Sequence, residues 1–529
     1  MSVTRPPFDP VVGPSSGPLA SRRAGVLLHV TSLPSAGPEP DAPGDLGAAA
    51  YRFVDFLHAA GCTVWQVLPL VPKHQVNPSP YNAISALAGD AELVSLSLLH
   101  DQGLLSEADL EEVADGTTSR GEARARAAER FLAAGPDPVF EAWCAGHPWL
   151  EPYVEFVALR ESLGYTAWAT WEPALRRRDP AAVRQALAPL ARRLDVLRAE
   201  QWFFASQWAE LKEYAAQRDV AVFGDLPIFV SLDSADVWGA QHLWRLDEEG
   251  QPTTVTGVPP DYFAAEGQRW NNPHYDWEAM AAEDFAWWRQ RVAGLRELFD
   301  LVRIDHFRGF EAAWHVPVEA ETAKEGRWEK SPGREVLAAL LETSGEGTLV
   351  AEDLGVITPE VDRLRLEFGL PGMKVLQFAF DGDPSNFYLL EQHVPNSVVY
   401  TGTHDNDTTV GWWRSLDEQS RRYVLDHIPA ADEPMPWALI QAALGSVGRL
   451  AVVPAQDLLG LGSEARMNTP GTEAGNWSWQ AEDGVFDEAL ASRLRTLVER
   501  SGRLAGRSAG RPGAGSGLRA SAGPAATEA

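Results

Sequence analysis

Apolar residues gather into eight short, nearly continuous runs along the chain. They lie at 26–30 (VLLHV), 64–68 (VWQVL), 220–228 (VAVFGDLPI), 301–305 (LVRID), 348–353 (TLVAED), 373–378 (MKVLQF), 397–403 (SVVYTGT) and 450–457 (LAVVPAQD). All are rich in β-branched residues and show little polar alternation. A strand wet on one face alternates; a strand covered on both faces does not. The runs therefore read as buried parallel strands. Stretches between them, such as ELKEYAAQ at 210–217 and DFAWWRQRVAGLRELF at 284–299, read as helical. Eight strands alternating with helices predict an α/β fold, a (β/α)8 TIM barrel.

The spacing is uneven. A long Ala/Leu/Arg/Glu-rich gap separates the second run from the third, and predicts a mostly helical insertion at about 92–200. Residues 1–22 are rich in Pro, Gly and Ser, and are expected to be irregular and flexible. Residues 502–529 are rich in Gly, Ala and Arg, with almost no large apolar side chains to bury, so a disordered tail is expected there. The catalytic barrel is expected to fill 23–501.

Composition narrows the range of partners. The 529 residues include 74 acidic and 45 basic side chains, a formal net charge of −29. Such a surface repels phosphate backbones and anionic lipid, so neither nucleic acid nor a membrane is the expected partner. Two cysteines, Cys62 and Cys144, allow at most one bridge. The N-terminus carries no apolar signal core, and no uninterrupted apolar stretch reaches the ~18 residues of a membrane span. A cytoplasmic chain is expected. The excess of Trp (20) over Tyr (10) hints at carbohydrate, because indole faces stack on sugar rings; core packing is the plainer explanation for any single Trp.

Several strand runs end in acid: Asp225 in GDLP, Asp305 in VRIDHF, Glu352 in AEDLG, Asp405 in GTHDND and Asp457 in PAQD. One such acid can simply cap a helix. Four or five at one barrel mouth repel each other and lose solvation, so a functional cluster is expected. Carboxylates with His can hold a divalent metal; paired carboxylates can instead cleave a glycosidic bond. Arg303 and Asp305 are two residues apart, so a strand puts them on one face with Ile304 on the other. A guanidinium there favours the ionised carboxylate. Glu352 and Asp353 must face opposite ways, so one of them at most looks into the mouth.

Longer segments carry a resemblance. They are SPYNAISALAG at 79–89, GDLPIFVSLDSADVW at 224–238, GVPPDYFAAEGQRWNNPHY at 257–275, VRIDHFRGF at 302–310, AEDLGVITPEV at 351–361, GLPGMKVLQFAFDG at 369–382, TGTHDNDT at 401–408 and DLLGLGSEARMNTPGTEAGNW at 457–477. Over about 24–500 the chain resembles the amylomaltase, or disproportionating enzyme, family of 4-α-glucanotransferases in the α-amylase clan. The resemblance implies Asp305 as nucleophile, Glu352 as general acid/base and Asp405 as transition-state stabiliser. It places Arg303, His404, Asp225, Asp381, Tyr81 and Trp270 around the sugar, and makes 257–275 a substrate-enclosing loop. It implies α-1,4-glucans and maltooligosaccharides as substrates, with no cofactor and no metal. One departure is that Asn271 stands where the family has a glycine after the loop tryptophan. The rival readings are an α-glucan hydrolase with the same triad, a metal-dependent barrel enzyme, and an inactive sugar-binding scaffold.

Overall fold

The structure is a computed structural model. It describes residues 13–504 apart from 15–16, 36, 38–41, 76–77, 136, 261–264, 430–432 and 473. Twelve strands are described, in two sheets. Eight make a parallel sheet: β1 (Arg23–Leu27), β2 (Val64–Gln66), β3 (Ala221–Leu226), β6 (Leu301–Ile304), β9 (Leu349–Ala351), β10 (Gly372–Val375), β11 (Ser397–Tyr400) and β12 (Leu450–Pro454). Their order is β10-β11-β12-β1-β2-β3-β6-β9. The Ala351 N–H donates to the Pro371 carbonyl at 2.9 Å and brings the two ends together, closing a TIM barrel. Each expected apolar run overlaps one barrel strand, although β1 begins three residues before its run and β10 one residue before.

The alternation along these strands explains why both faces are apolar. Leu27, Val64, Phe223, Leu301, Val350, Met373, Val398, Tyr400 and Val452 point inward and form one buried cluster. Val26, Trp65, Val222, Val302, Ile304, Ala351 and Val453 point outward into the larger core beneath the helices. The same two-residue rhythm carries Asp225, Arg303 and Glu352 to the inner face, one step above Phe223, Leu301 and Val350.

Between β2 and β3 the chain forms a series of helices from Leu96 onward, ending in the long helix Ala191–Ala216. Ser106 and Ser119 start two of them, Glu107–Ala114 and Arg120–Ala133, with reciprocal capping boxes to Asp109 and Glu122. A second sheet was not foreseen. It is antiparallel, in the order β5-β4-β7-β8, and comprises β4 (Thr254–Val258), β5 (Gln268–Pro273), β7 (Ala312–Pro317) and β8 (Arg327–Lys330). Much of the segment expected as a loop at 257–275 is thus paired strand, with β4 and β5 pairing from Val255–Pro273 to Val258–Gln268 across one register shift between Val255 and Gly257.

The expected chain ends need correction. Leu19 is fully buried in the inner barrel cluster, and Arg22 donates to the carbonyls of Ser501, Leu444 and Ser446, so the segment before residue 23 is anchored where it is described. Arg503, expected in the tail, is fully buried. Average composition hid both, because a single apolar or hydrogen-bonding residue can fix an otherwise polar stretch. Residues 1–12 and 505–529 lie outside the described residues.

Candidate active site

At the C-terminal end of the barrel strands, Arg303 ties three acids together. Its Nη1 donates to Asp225 Oδ2 at 2.6 Å. Its Nη2 lies 2.9 Å from Asp305 Oδ1 and 4.0 Å from Glu352 Oε2. Asp305 and Glu352 are held by backbone bonds to neighbouring strands: the Asp305 N–H donates to Leu226 O at 2.9 Å, and the Glu352 N–H to Ile304 O at 3.0 Å. Just past β6 the chain turns through a left-handed residue, His306 at φ 49°. That turn aims the His306 N–H at Glu352 Oε2, 2.7 Å away, while the Leu354 N–H reaches Oε1 at 2.7 Å. The Glu352 carboxyl is therefore fixed in place. Asp353, on the opposite face, accepts from the Met373 N–H at 2.7 Å and lies 3.1 Å from Arg365.

Tyr81 covers the other side. Its hydroxyl donates to Asp225 Oδ2 at 2.9 Å and lies 3.0 Å from His404 Nε2. The hydroxyl has one proton and gives it to Asp225, so the His404 Nε2 carries the hydrogen on that contact. The same nitrogen is 3.4 Å from Asp405 Oδ2. Burial pushes the His404 imidazole down, toward its neutral form. Asp405 is the most open of the acids, and its Oδ1 accepts from the Asn468 amide at 2.6 Å. Arg466 donates to the Asp405 carbonyl at 2.6 Å.

Charge is scarce in this cluster. Burial works against the Arg303 guanidinium, but Asp225 and Asp305 more than offset it and keep it charged. Burial raises Glu352 above the usual carboxylate range, against Arg303 and the two backbone N–H bonds. Burial also pushes Asp305 up, to about 8; Arg303 opposes this, while Asp225, Glu352 and Asp405 push further the same way. One cation serving three inner acids leaves a proton in the cluster near neutral pH.

Two partly buried carboxyls, Asp305 and Glu352, beside the more open Asp405 are the kind of groups that break a glycosidic bond. The comparisons with known proteins agree. The family model described as 4-alpha-glucanotransferase matches residues 28–485. The chain belongs to the 4-alpha-glucanotransferase family. Its relatives include the 4-alpha-glucanotransferase of Thermus thermophilus, 43% identical over 511 residues, covering 91% of this chain and 99% of that protein. That of Synechocystis is 43% identical over 503 residues, covering 92% and 99%. The solved amylomaltase of Streptococcus agalactiae, in complex with acarbose, superimposes with a TM-score of 0.85 at 32% identity, covering 91% of this chain and 99% of that one.

Among the residues singled out in this 4-alpha-glucanotransferase family chain, the structure brings Asp305, Glu352, Asp405, Asp225, Arg303, His404 and Tyr81 into one cluster. Trp270 reaches it through His306, packing edge-on at 4.8 Å between ring centres. Asp381 stands exposed, accepting from the Asp383 N–H at 2.9 Å; among the described residues it makes no hydrogen bond or ion pair with the cluster. Asp457 takes the plainer role of a strand-end acid: it is buried and accepts from Thr401 and Thr409. Asn271, where the resemblance led to the expectation of a glycine, has φ 65°, a left-handed conformation that asparagine tolerates better than most residues.

Sequence reasoning missed Asn468, Arg466 and Trp477. All three lie in the loop after β12, where no periodicity marks them. Trp477 packs 5.7 Å from Tyr81 and 5.9 Å from His404. Their segment was matched to the family, but nothing in it distinguished residues that touch the cluster. Among the described residues, no group of three or more His, Cys, Asp or Glu is placed to hold a metal.

Proposed function

We propose that this cluster transfers α-1,4-glucan segments to glucose or maltooligosaccharide acceptors by a retaining double displacement. Asp305 attacks the anomeric carbon while Glu352 protonates the departing glycosidic oxygen. The C–O bond to the leaving sugar breaks, and a β-linked glycosyl ester forms on Asp305. The 4-hydroxyl of an acceptor then gives its proton to the Glu352 carboxylate and attacks the same carbon, releasing Asp305. Two inversions preserve the α-linkage. Asp405 steadies the oxocarbenium-like sugar, and Asp225, Arg303, His404, Tyr81 and Trp270 hold it; Asp381 is assigned to the edge of the site.

The observation that carries the reading is the unequal sharing of Arg303. It stands 2.9 Å from Asp305 and 4.0 Å from Glu352. The Asp305 side chain is also 28% exposed, against 11% for Glu352. The cluster's proton therefore belongs on Glu352, the acid, and the negative charge on Asp305, the nucleophile, although burial lifts both. Support for a cytoplasmic setting comes from Cys62 and Cys144, which are both free thiols. Among the described residues no helix is long and apolar enough to cross a membrane.

The test is incubation with maltotriose. Transfer yields a ladder of longer maltooligosaccharides together with glucose. The hydrolase alternative yields shorter sugars only, with new reducing ends matching broken linkages one for one.

A further inference from the structure

Strand β8 is the edge of the small sheet, and it exposes one large aromatic. Trp328 is 38% exposed and has no hydrogen-bond partner for its indole N–H among the described residues. It lies directly across from Trp314 on β7, with ring centres 5.1 Å apart. Its buried face rests on the guanidinium of Arg308, 3.7 Å from the ring centre. Arg308 is buried, two residues beyond His306, and its Nη1 donates to the Val356 carbonyl at 2.5 Å. Val356 belongs to the loop that follows Glu352 and is itself 68% exposed. One continuous set of contacts thus joins the acid/base loop to an open indole face outside the central cluster.

The position decides what could lie there. A general acid stands beside the oxygen it protonates, so the loop after Glu352 borders the leaving-group side, which the acceptor later occupies. The indole offers a flat apolar face with an N–H donor at its edge, and the charges beside it on β8, Arg327 and Lys330, are paired with Glu329 and Glu311. That chemistry suits the C–H face of a glucose unit with a hydroxyl at its rim. Nucleic acid would meet the acidic surface, and an apolar peptide would require a broader patch.

We infer that Trp328 is an acceptor-side platform, stacking a glucose unit of the leaving or incoming glucan beyond the sugar next to Glu352. Arg308 holds the indole in place and links it to the acid/base loop. The inference rests on the transfer reading above, since it uses the side of the site assigned to Glu352.

The test uses the full chain, its Trp328→Ala and Trp328→Phe variants, one fixed donor, and acceptors from glucose to maltoheptaose. The KM for acceptors of several units should rise about tenfold in Trp328→Ala, roughly what one lost aromatic contact costs. The rise should be absent with glucose, which is too short to reach the platform, and Trp328→Phe should recover most of the loss. An equal change for glucose and long acceptors overturns the inference, as does no change for either. A fall in kcat with every acceptor also overturns it, because Trp328 would then serve only to support Arg308 and the loop. Direct titration of maltoheptaose into Glu352→Gln, with and without Trp328→Ala, separates this from the parent reading. Failure of the ladder with maltotriose removes the transfer reading, whereas equal affinities in the titration remove the platform.

Discussion

The Asn468 amide donates to Asp405 Oδ1 at 2.6 Å across 63 residues of sequence. It leaves Oδ2 for His404 and fixes the plane of the carboxyl that we propose meets a sugar carrying developing positive charge. Asn468→Ala removes one hydrogen bond to a charged acceptor, worth roughly 1.5–3 kcal/mol. If that bond matters chiefly in the transition state, kcat/KM for transfer falls about 10- to 100-fold. The thermal midpoint should hardly move, since Asp405 is partly open to solvent. Steady-state kinetics with maltotriose and a melting curve check both. Full activity in Asn468→Ala would show that Asp405 needs no orientation from this loop.

The Asp305–Glu352 pair should cost the fold stability at high pH. The pair shares one proton that burial holds in the folded protein up to about 8, whereas an unfolded Asp titrates near ~3.9 and an unfolded Glu near ~4.3. Below the unfolded values both states are protonated, and the pair contributes nothing. As pH rises, the unfolded chain ionises freely while the folded one resists. The penalty accumulates between the two values and levels off above the folded one. Asp305→Asn removes it. The melting temperature of the variant minus that of the parent should therefore grow from pH 4 to pH 8 and then stay constant. A difference that is flat across this window would mean that Arg303 fully compensates the burial of Asp305.

Arg503 should matter to the whole barrel. Its guanidinium is fully buried and, among the described residues, has no carboxylate partner. Nε donates to Leu444 O at 2.6 Å, Nη1 to Arg23 O at 2.9 Å, and Nη2 to Ser446 O at 2.9 Å. These carbonyls belong to the end of helix Trp437–Gly445, the turn after it and the first residue of β1. Arg503→Ala would take a donor from each of these buried carbonyls, leaving Leu444 O and Ser446 O to Arg22 alone, and would cost about 1–3 kcal/mol for an acceptor left without a partner. A drop of several degrees in the melting temperature is expected. Arg503→Lys should recover little, because a single ammonium cannot span the set. Activity at a temperature well below the transition should be unchanged.

What the sequence disclosed, and what it hid, follows from range. Arg303 and Asp305 were legible as a pair because strand alternation puts residues two apart on one face, and Asp225 and Arg303 sit just above the inward Phe223 and Leu301. Glu352 and Asp353 were correctly separated by the same rule. Asn468 and Trp477 were not legible, because they reach the cluster from a loop whose path depends on tertiary packing. The β5-β4-β7-β8 sheet escaped notice for another reason. Its strands are short, and carry Gly257, Pro273 and exposed charges that weaken any alternating pattern. Arg503 was hidden because composition speaks for a stretch and not for one residue in it.

The division of labour between Asp305 and Glu352 can be read from a trapped intermediate. Glu352→Gln keeps the carboxamide near the His306 and Leu354 N–H groups but cannot supply a proton. Ordinary maltooligosaccharides, whose leaving alkoxide needs that proton, should not react. An α-glucosyl fluoride should still glycosylate the enzyme, because fluoride leaves with little help. The second step should then stall, since no carboxylate remains to accept the proton of the incoming hydroxyl. The ester should accumulate as a single added hexosyl unit, seen by intact-protein mass spectrometry, and peptide mapping should place it on Asp305. Asp305→Asn should show no adduct with any donor and lose nearly all transfer. An ester on Asp405 would exchange the roles of the two aspartates. Turnover of the fluoride by Glu352→Gln with retained configuration, but without any adduct even under rapid quenching, would remove the covalent route.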